Sequence, residues 1–295
     1  MSVGVKYTIT VPASTANVGS GFDTFGMALG IHDVIDVAVT DSGLHVEVID
    51  AGAGDMSNVP TDESHLVVRA LRHACRYLDI KVPGLALRCR NAIPHSRGLG
   101  SSAAAVVAGV AAGYALAGKD IDDVALQLAA EFEGHADNAA ASLLGGFVVA
   151  WQSNSTFHAQ RLRPHPAIRP VVAVPSDHSS TAETRGLLPE YVPHADAAFA
   201  ASRSALTVHA VTSRPDLLFA ATEDRLHQDY RESAFPASVW LMRALRARGV
   251  AAVISGAGPT VLALTTTGIL PEGVDVTGFE VTELPVDLIG VRVST

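Results

Sequence analysis

Residues 93–105 read Ile-Pro-His-Ser-Arg-Gly-Leu-Gly-Ser-Ser-Ala-Ala-Ala, and the apolar run that begins there continues to Ala117. The spacing predicts a loop carrying Gly98 and Gly100 that feeds directly into a helix over Ser101–Ala117. Glycine lets backbone N–H groups approach a ligand that a Cβ would hold away. The first turn of a helix leaves N–H groups unpaired at the positive end of its dipole. Phosphate is the natural guest of such a place. Ser101 and Ser102 can cap the helix, contact phosphate oxygens or bind a metal that bridges them. Ala103–Ala105 let the helix pack closely behind the loop.

Other readings of the same letters fare differently. A Walker A loop needs Lys after its last Gly, where this chain has Ser101. A dinucleotide fingerprint is met on letters by Gly98-x-Gly100-x-x-Ala103. That fold also needs a strand directly before the glycines and an acidic residue ~20 positions on, at the end of the next strand. Here a loop with Pro94 intervenes, and Asp120 falls in a turn between helices. A glycine-rich helix cap without a ligand stays open on this stretch alone.

Outward from the loop, strands are expected at Val5–Pro12, Val34–Thr40, Leu44–Ile49 and Leu85–Arg90. Ala13–Phe22 reads as a loop. A helix is expected from Leu66 to Ala74, capped by Thr61–Ser64, and another over Ile121–Glu133. Gly145-Gly146 ends the next short element, and Phe147–Trp151 reads as a strand. Asn154–Pro166 is polar and Pro-bearing, which places a domain boundary there, giving domains 1–158 and 159–295. The second half alternates a strand (Val171–Pro175), helices (about Asp196–Val211 and Ala237–Arg248) and strands (Ala251–Ile254, Val261–Leu264). The fold class is α/β (α+β) with two domains.

Composition narrows the partners. The chain has 295 residues, 48 % of them hydrophobic, enough for a full core. Its 21 Lys and Arg against 30 Asp and Glu leave a net charge of −9, which repels nucleic acid and anionic membranes. The basic residues from Arg69 to Arg76 are spread at helical spacing. Cys75 and Cys89 form no CxxC pair and read as two buried, reduced thiols. The start lacks a charged stretch followed by an apolar run, and Ala103–Ala117 is shorter than the ~20 residues of a spanning helix. A cytoplasmic protein is expected.

Two further stretches carry polar groups among small residues. Pro12–Asp23 (PASTANVGSGFD) holds Asn17 and Asp23, which either cap turns or face a polar ligand. Ser255–Thr260 (SGAGPT) reads by itself as a tight turn.

Taken together and in this order, the three stretches resemble the galacto-, homoserine, mevalonate and phosphomevalonate (GHMP) kinase superfamily, from Val11 to Leu264. Within it, the chain is most similar to the homoserine kinase family. PASTANVGSGFD, EGHADN at Glu133–Asn138, TAETR at Thr181–Arg185 and HQDYR at His227–Arg231 carry that likeness. The resemblance implies an N-terminal domain like ribosomal protein S5 and a ferredoxin-like C-terminal domain. It implies transfer of phosphate from ATP to the hydroxyl of L-homoserine, giving O-phospho-L-homoserine for threonine biosynthesis, in a homodimer. Pro94, His95, Ser96, Arg97, Gly98, Leu99, Gly100, Ser101, Ser102, Ala103 and Ala104 would form the ATP site. Ser102 and Glu133 would hold Mg²⁺, with Glu131 a rival for Glu133.

By the same resemblance, Asp23 would pair with the substrate ammonium, and Arg185 and Arg231 with its carboxylate, where a guanidinium fork fits. Asn17 and Asn138 would meet the hydroxyl end, and Thr181 would lie beside the substrate. An amide is no general base, so the hydroxyl proton is expected to leave to phosphate or solvent, with Asp137 the rival base. Ala136 stands where many members have Pro, a change that removes no chemical group. His135 is expected to orient its loop. The alternatives are a mevalonate-type kinase, whose substrate would want apolar lining, and a ligand-binding member of the fold without turnover.

Overall fold

The computed structural model describes residues 4–176 and 184–295. The β-branched run at the start extends as β1 (Lys6–Ala16). Ala13–Ala16, expected to open a loop, continue this strand beyond a bulge at Pro12/Ala13, because they pair with Gly26–Leu29 of β2 (Phe25–Thr40). Gly26 and Gly30 hid the first half of β2 from pattern reading. A Cβ on Gly26 would lie 2.3 Å from the Asp137 carbonyl oxygen, so the glycine admits a helix rather than a turn. After β3 (Gly43–Asp50) come α1 (Leu66–Tyr77), β4 (Gly84–Asn91), α2 (Ser101–Ala117), α3 (Asp123–Ala130), α4 (Asp137–Leu144), β5 (Phe147–Ser153) and β6 (Thr156–Leu162). These strands and the last strand of the chain, β11 (Arg292–Ser294), form one sheet. Its order is β11-β1-β2-β4-β3, and β5 joins the other half of β2 and carries β6.

The 158/159 boundary drawn from the polar stretch falls inside β6, whose exposed, non-alternating side chains gave no strand signal. The next strand, β7 (Arg169–Pro175), belongs to a second, antiparallel sheet with β8 (Ala251–Ile254), β9 (Val261–Thr265) and β10 (Phe279–Glu283). Between β7 and β8 lie α5 (His194–Thr212), α6 (Leu218–Ala221) and α7 (Pro236–Arg246). The order β10-β7-β9-β8 is that of a ferredoxin-like sheet. The fold is thus the expected two-domain mixture.

Helix α2 runs from Ser101 to Ala117, as its apolar run predicts, and is buried along most of its length. Small residues decide this. A Cβ on Gly109 would sit 2.4 Å from the Val67 carbonyl oxygen of α1, and one on Gly113 2.6 Å from the Ala74 Cβ. Two expected helix ends shift. His65, not Thr61–Ser64, is the N-cap of α1, and Asp62 instead bonds back to Ser64. Asp122 caps α3 through the Val124 N–H, and α3 ends at Ala130, leaving Glu133 in the following turn.

The core is shared. Val172, Leu262 and Leu264 of the second sheet pack in one cluster with Val11, Leu29 and Val107 of the first unit. A smaller cluster fills the space between α7 and the second sheet, through Val239, Leu245 and Ile254. Cys75 and Cys89 are free and buried, and burial pushes their thiols up to about 11 and about 12. Among the described residues no helix is long and apolar enough to cross a membrane.

Candidate active site

The N-terminus of α2 opens into a cavity of about 610 Å³ between the two units. Gly100 is the N-cap, at φ 68°, and has no side chain to bond the first-turn N–H groups. The loop before it is fixed from below. Asp33, on β2, takes the N–H of Ala92 at 2.7 Å and of Ile93 at 2.9 Å. Burial pushes this carboxyl up to about 6, against those two hydrogen bonds and a third from Asn91.

The glycines have a reason beyond ligand approach. A Cβ on Gly98 (φ 75°) would lie 2.4 Å from the Ser255 carbonyl oxygen. One on Gly100 would lie 2.1 Å from the Ser14 hydroxyl and 3.0 Å from the Asn138 amide oxygen. The loop is therefore squeezed between β1 and the Ser255–Thr260 turn of the other unit. Ser255 donates to the Gly98 carbonyl at 2.6 Å.

Of the residues expected at the phosphates, Ser96, Gly98, Gly100, Ser101, Ser102 and Ala103 line the cavity. Leu99 and Ala104 point into the core. Pro94 is half-buried and does not line the cavity, and His95 leans on the Asn91 amide at 3.4 Å. The Arg97 guanidinium bonds the carbonyls of Pro175 (2.9 Å) and Ser176 (2.5 Å), fastening the loop to the end of β7.

Geometry separates the two glutamates. Glu131 faces outward, 3.1 Å from His73 and 3.0 Å from Gln127. Glu133 lines the cavity near Ser102, whose hydroxyl favours its charged form. Burial raises its pKa, and Ser102 and His135 offset this in part. A desolvated carboxylate beside a hydroxyl at a phosphate-type anion site is the hard-oxygen donor set that suits Mg²⁺.

The opposite wall comes from distant segments. Asn138, near the start of α4, accepts at Oδ1 from Ser14 (3.0 Å), which leaves its NH₂ edge for the cavity. Asp137 is 1 % exposed, and its Oδ1 is spent on the His135 ring and the Asn138 N–H, each at 2.7 Å. His135 itself lines the cavity. Burial pulls its pKa down, but Asp137, Glu133 and Asp23 together outweigh this and raise it. Asn17 (φ 64°) works as a staple: its Nδ2 donates to the Gly256 carbonyl at 3.0 Å and its Oδ1 accepts the Asp23 N–H at 2.9 Å.

Asp23 and Arg185, expected at opposite ends of an amino acid, are paired with each other at 2.7 and 2.8 Å. Arg231 is 2 % exposed, yet it lines the cavity. Burial lowers its pKa to about 10. Thr181 lies outside the described residues. Sequence reasoning left out Phe132 and Gly256–Gly258, which also line the cavity. The Ser255–Thr260 turn was readable, but its contact with Gly98, 157 residues away, was not.

Comparison with known proteins agrees with this geometry. The family "GHMP kinases N terminal domain" matches residues 65–146, and "GHMP kinases C terminal" matches residues 204–270. A homoserine kinase of Rhodococcus erythropolis is 51 % identical over 100 % of this chain and 98 % of its own. One of Mycobacterium tuberculosis is 52 % identical over 96 % of this chain and 93 % of its own. The crystal structure of homoserine kinase from Cytophaga hutchinsonii superposes with a TM-score of 0.85 at 26 % identity, covering 100 % of this chain and 99 % of that one. A mevalonate kinase of L. major, at 14 % identity and TM-score 0.68 over 98 % of this chain and 97 % of its own, shares the fold. The chain belongs to the GHMP kinases, among their homoserine kinases.

Proposed function

We propose that this cavity transfers the γ-phosphoryl group of ATP to the side-chain hydroxyl of L-homoserine, forming O-phospho-L-homoserine and ADP on the way to threonine. The observation that carries this reading is a single cavity with an open helix N-terminus at one wall and an Asp with two Arg at the other. Mevalonate would offer a carboxylate to the arginines but no ammonium for Asp23.

In this reading the N–H groups of the first turn of α2 and the backbone of Gly98–Ser102 hold the phosphates. Ser102 and Glu133 would hold Mg²⁺, which when bound neutralises charge on the phosphate oxygens. The entering amino acid separates the Asp23–Arg185 pair without leaving a bare charge: its ammonium takes Asp23, and its carboxylate takes Arg185 and Arg231. The NH₂ edge of Asn138 donates to an oxygen at the reacting end. The new bond joins the homoserine oxygen to the γ-phosphorus, and the bond from that phosphorus to the β–γ bridging oxygen breaks. The hydroxyl proton leaves to the transferred group or to solvent, since Asn138 cannot accept it and Asp137 is buried with Oδ1 held by His135 and the Asn138 N–H. Asp137→Asn abolishing turnover with both substrates still bound would overturn the base-free step.

ADP release measured with L-homoserine, L-serine and mevalonate tests the function. Turnover with L-homoserine above the other two is expected, and no homoserine-dependent ADP ends the reading. A cytoplasmic homodimer that uses Mg²⁺ is part of the same proposal. Sedimentation at the 30.6 kDa monomer mass would remove the dimer.

A further inference from the structure

His227 is a buried ring beside the cavity for which the chemistry above has no use. It is 1 % exposed. The Asp224 carboxylate takes the N–H groups of Leu226, His227 and Gln228, and this turn drives the ring between the Asn17–Asp23 loop and the short turn Asp229–Arg231. Its Nε2 faces two carbonyls, Gly19 at 2.7 Å and Asn17 at 3.3 Å. Carbonyls only accept, so Nε2 carries the proton. Nδ1 then offers only a lone pair, and its partner is Nη1 of Arg231, which can only donate.

Every contact therefore selects one neutral tautomer. A second proton would set a ring N–H against a guanidinium N–H. Burial and the Arg231 charge work against that proton, and Asp224, 3.8 Å from Nε2, works for it. A further neighbour is the Phe22 ring, 5.5 Å away, with Arg185 stacked on it at 5.1 Å and paired to Asp23.

Arg231 has an unusual set of partners for a buried cation. Nη1 meets the His227 ring and, at 3.3 Å, the His227 carbonyl, while among the described residues the buried Nε has no partner. Among the described residues it forms no ion pair with a carboxylate. A guanidinium held by neutral acceptors keeps its charge available for an incoming anion.

We propose that His227 is a positioning residue: held as the Nε2–H tautomer by the Gly19 and Asn17 carbonyls, it orients the Arg231 guanidinium and so sets affinity for the carboxylate of the amino-acid substrate. This rests on reading Arg231 as the carboxylate site. It also ties the substrate loop of the first unit to the cation of the second through a single ring.

Two amides separate the two contacts. His227→Asn keeps an acceptor where Nδ1 stands but loses the bond to Gly19. His227→Gln keeps a donor where Nε2 stands but loses the acceptor for Arg231. Steady-state kinetics on the full chain compare both variants, alone and in an Arg231→Ala background. The expected result is a KM for L-homoserine raised about 10- to 100-fold in His227→Gln, with the KM for ATP within about twofold. His227→Asn recovers most of that loss, and neither amide adds to the defect of Arg231→Ala.

Equal increases in both KM values, no recovery by Asn, or a full-sized Gln effect without Arg231 would each overturn the role. Should His227→Gln not fold, His227→Ala takes its place as the variant without an acceptor for Arg231, and the same comparison with His227→Asn applies. An inactive wild type sinks the functional reading, whereas an active wild type with unaffected variants sinks only the part assigned to His227.

Discussion

The wall made by the glycine loop and the wall made by Asn17, Asp23, Arg185 and Arg231 enclose the same cavity but are built differently. The first is one stretch of chain, Ser96–Ala103, working mainly through its backbone. The second is four side chains spread over more than 200 residues and both units, each held by a different neighbour. A contiguous backbone wall is specified by local conformation, so it tolerates little at any one position. A wall of dispersed side chains can lose one group and keep its shape. Damage to the first should therefore impair both substrates, and damage to the second should impair one.

The strongest way to break this contrast is Gly98→Ala. The new Cβ meets the Ser255 carbonyl at 2.4 Å, on a backbone at φ 75° that side chains rarely adopt. A loss of about 2–4 kcal/mol of stability is expected. Catalytic efficiency for both ATP and L-homoserine should fall by a factor on the order of 10³ or more. Denaturant unfolding and two-substrate kinetics check this, and an effect confined to homoserine would mean that the two walls are not separable.

Of intermediate size is the pair Glu133→Gln and Glu131→Gln. The first removes the cavity carboxylate next to Ser102, so kcat should drop on the order of 100-fold, with a higher Mg²⁺ requirement. The second removes an outward-facing group bonded to His73 and should change kcat less than about twofold. A magnesium titration of both variants assigns the ligand, and the reverse ranking would transfer it to Glu131.

The smallest effect sharpens how the backbone wall is supported. Asp33 titrates at about 6 in the folded protein, against an ordinary 3.8. Its folded-state pKa is raised, so the folded protein holds this proton more tightly than the unfolded chain does. Stability from the group is present below about pH 3.8 and is lost as pH rises through 6. Asp33→Asn cannot titrate. The stability of wild type relative to this variant should thus fall by about 1 kcal/mol between pH 5 and pH 7 in urea unfolding. A difference independent of pH would show that Ala92 and Ile93 hold the carboxylate charged throughout.

Local features were legible in advance because local forces set them. Ser101–Ala117 is a helix by composition and stays one, and the Gly98–Ser102 turn into it can be read from spacing alone. The strands missed, β6, β10, β11 and the first half of β2, are exposed, short or glycine-bearing, so no apolar period marks them. Likewise the Glu131–Glu133 choice depends on where α3 stops, which packing decides.

What the amino-acid order alone determined was the glycine loop, the helix behind it and, through four short segments, the family. What only the tertiary structure decided was which surfaces those segments face. Gly98 lies against Ser255, Asp23 pairs with Arg185, and His227 stands between Gly19 and Arg231. Those contacts join residues that no local periodicity relates, so their geometry follows from how the two sheets pack on one core.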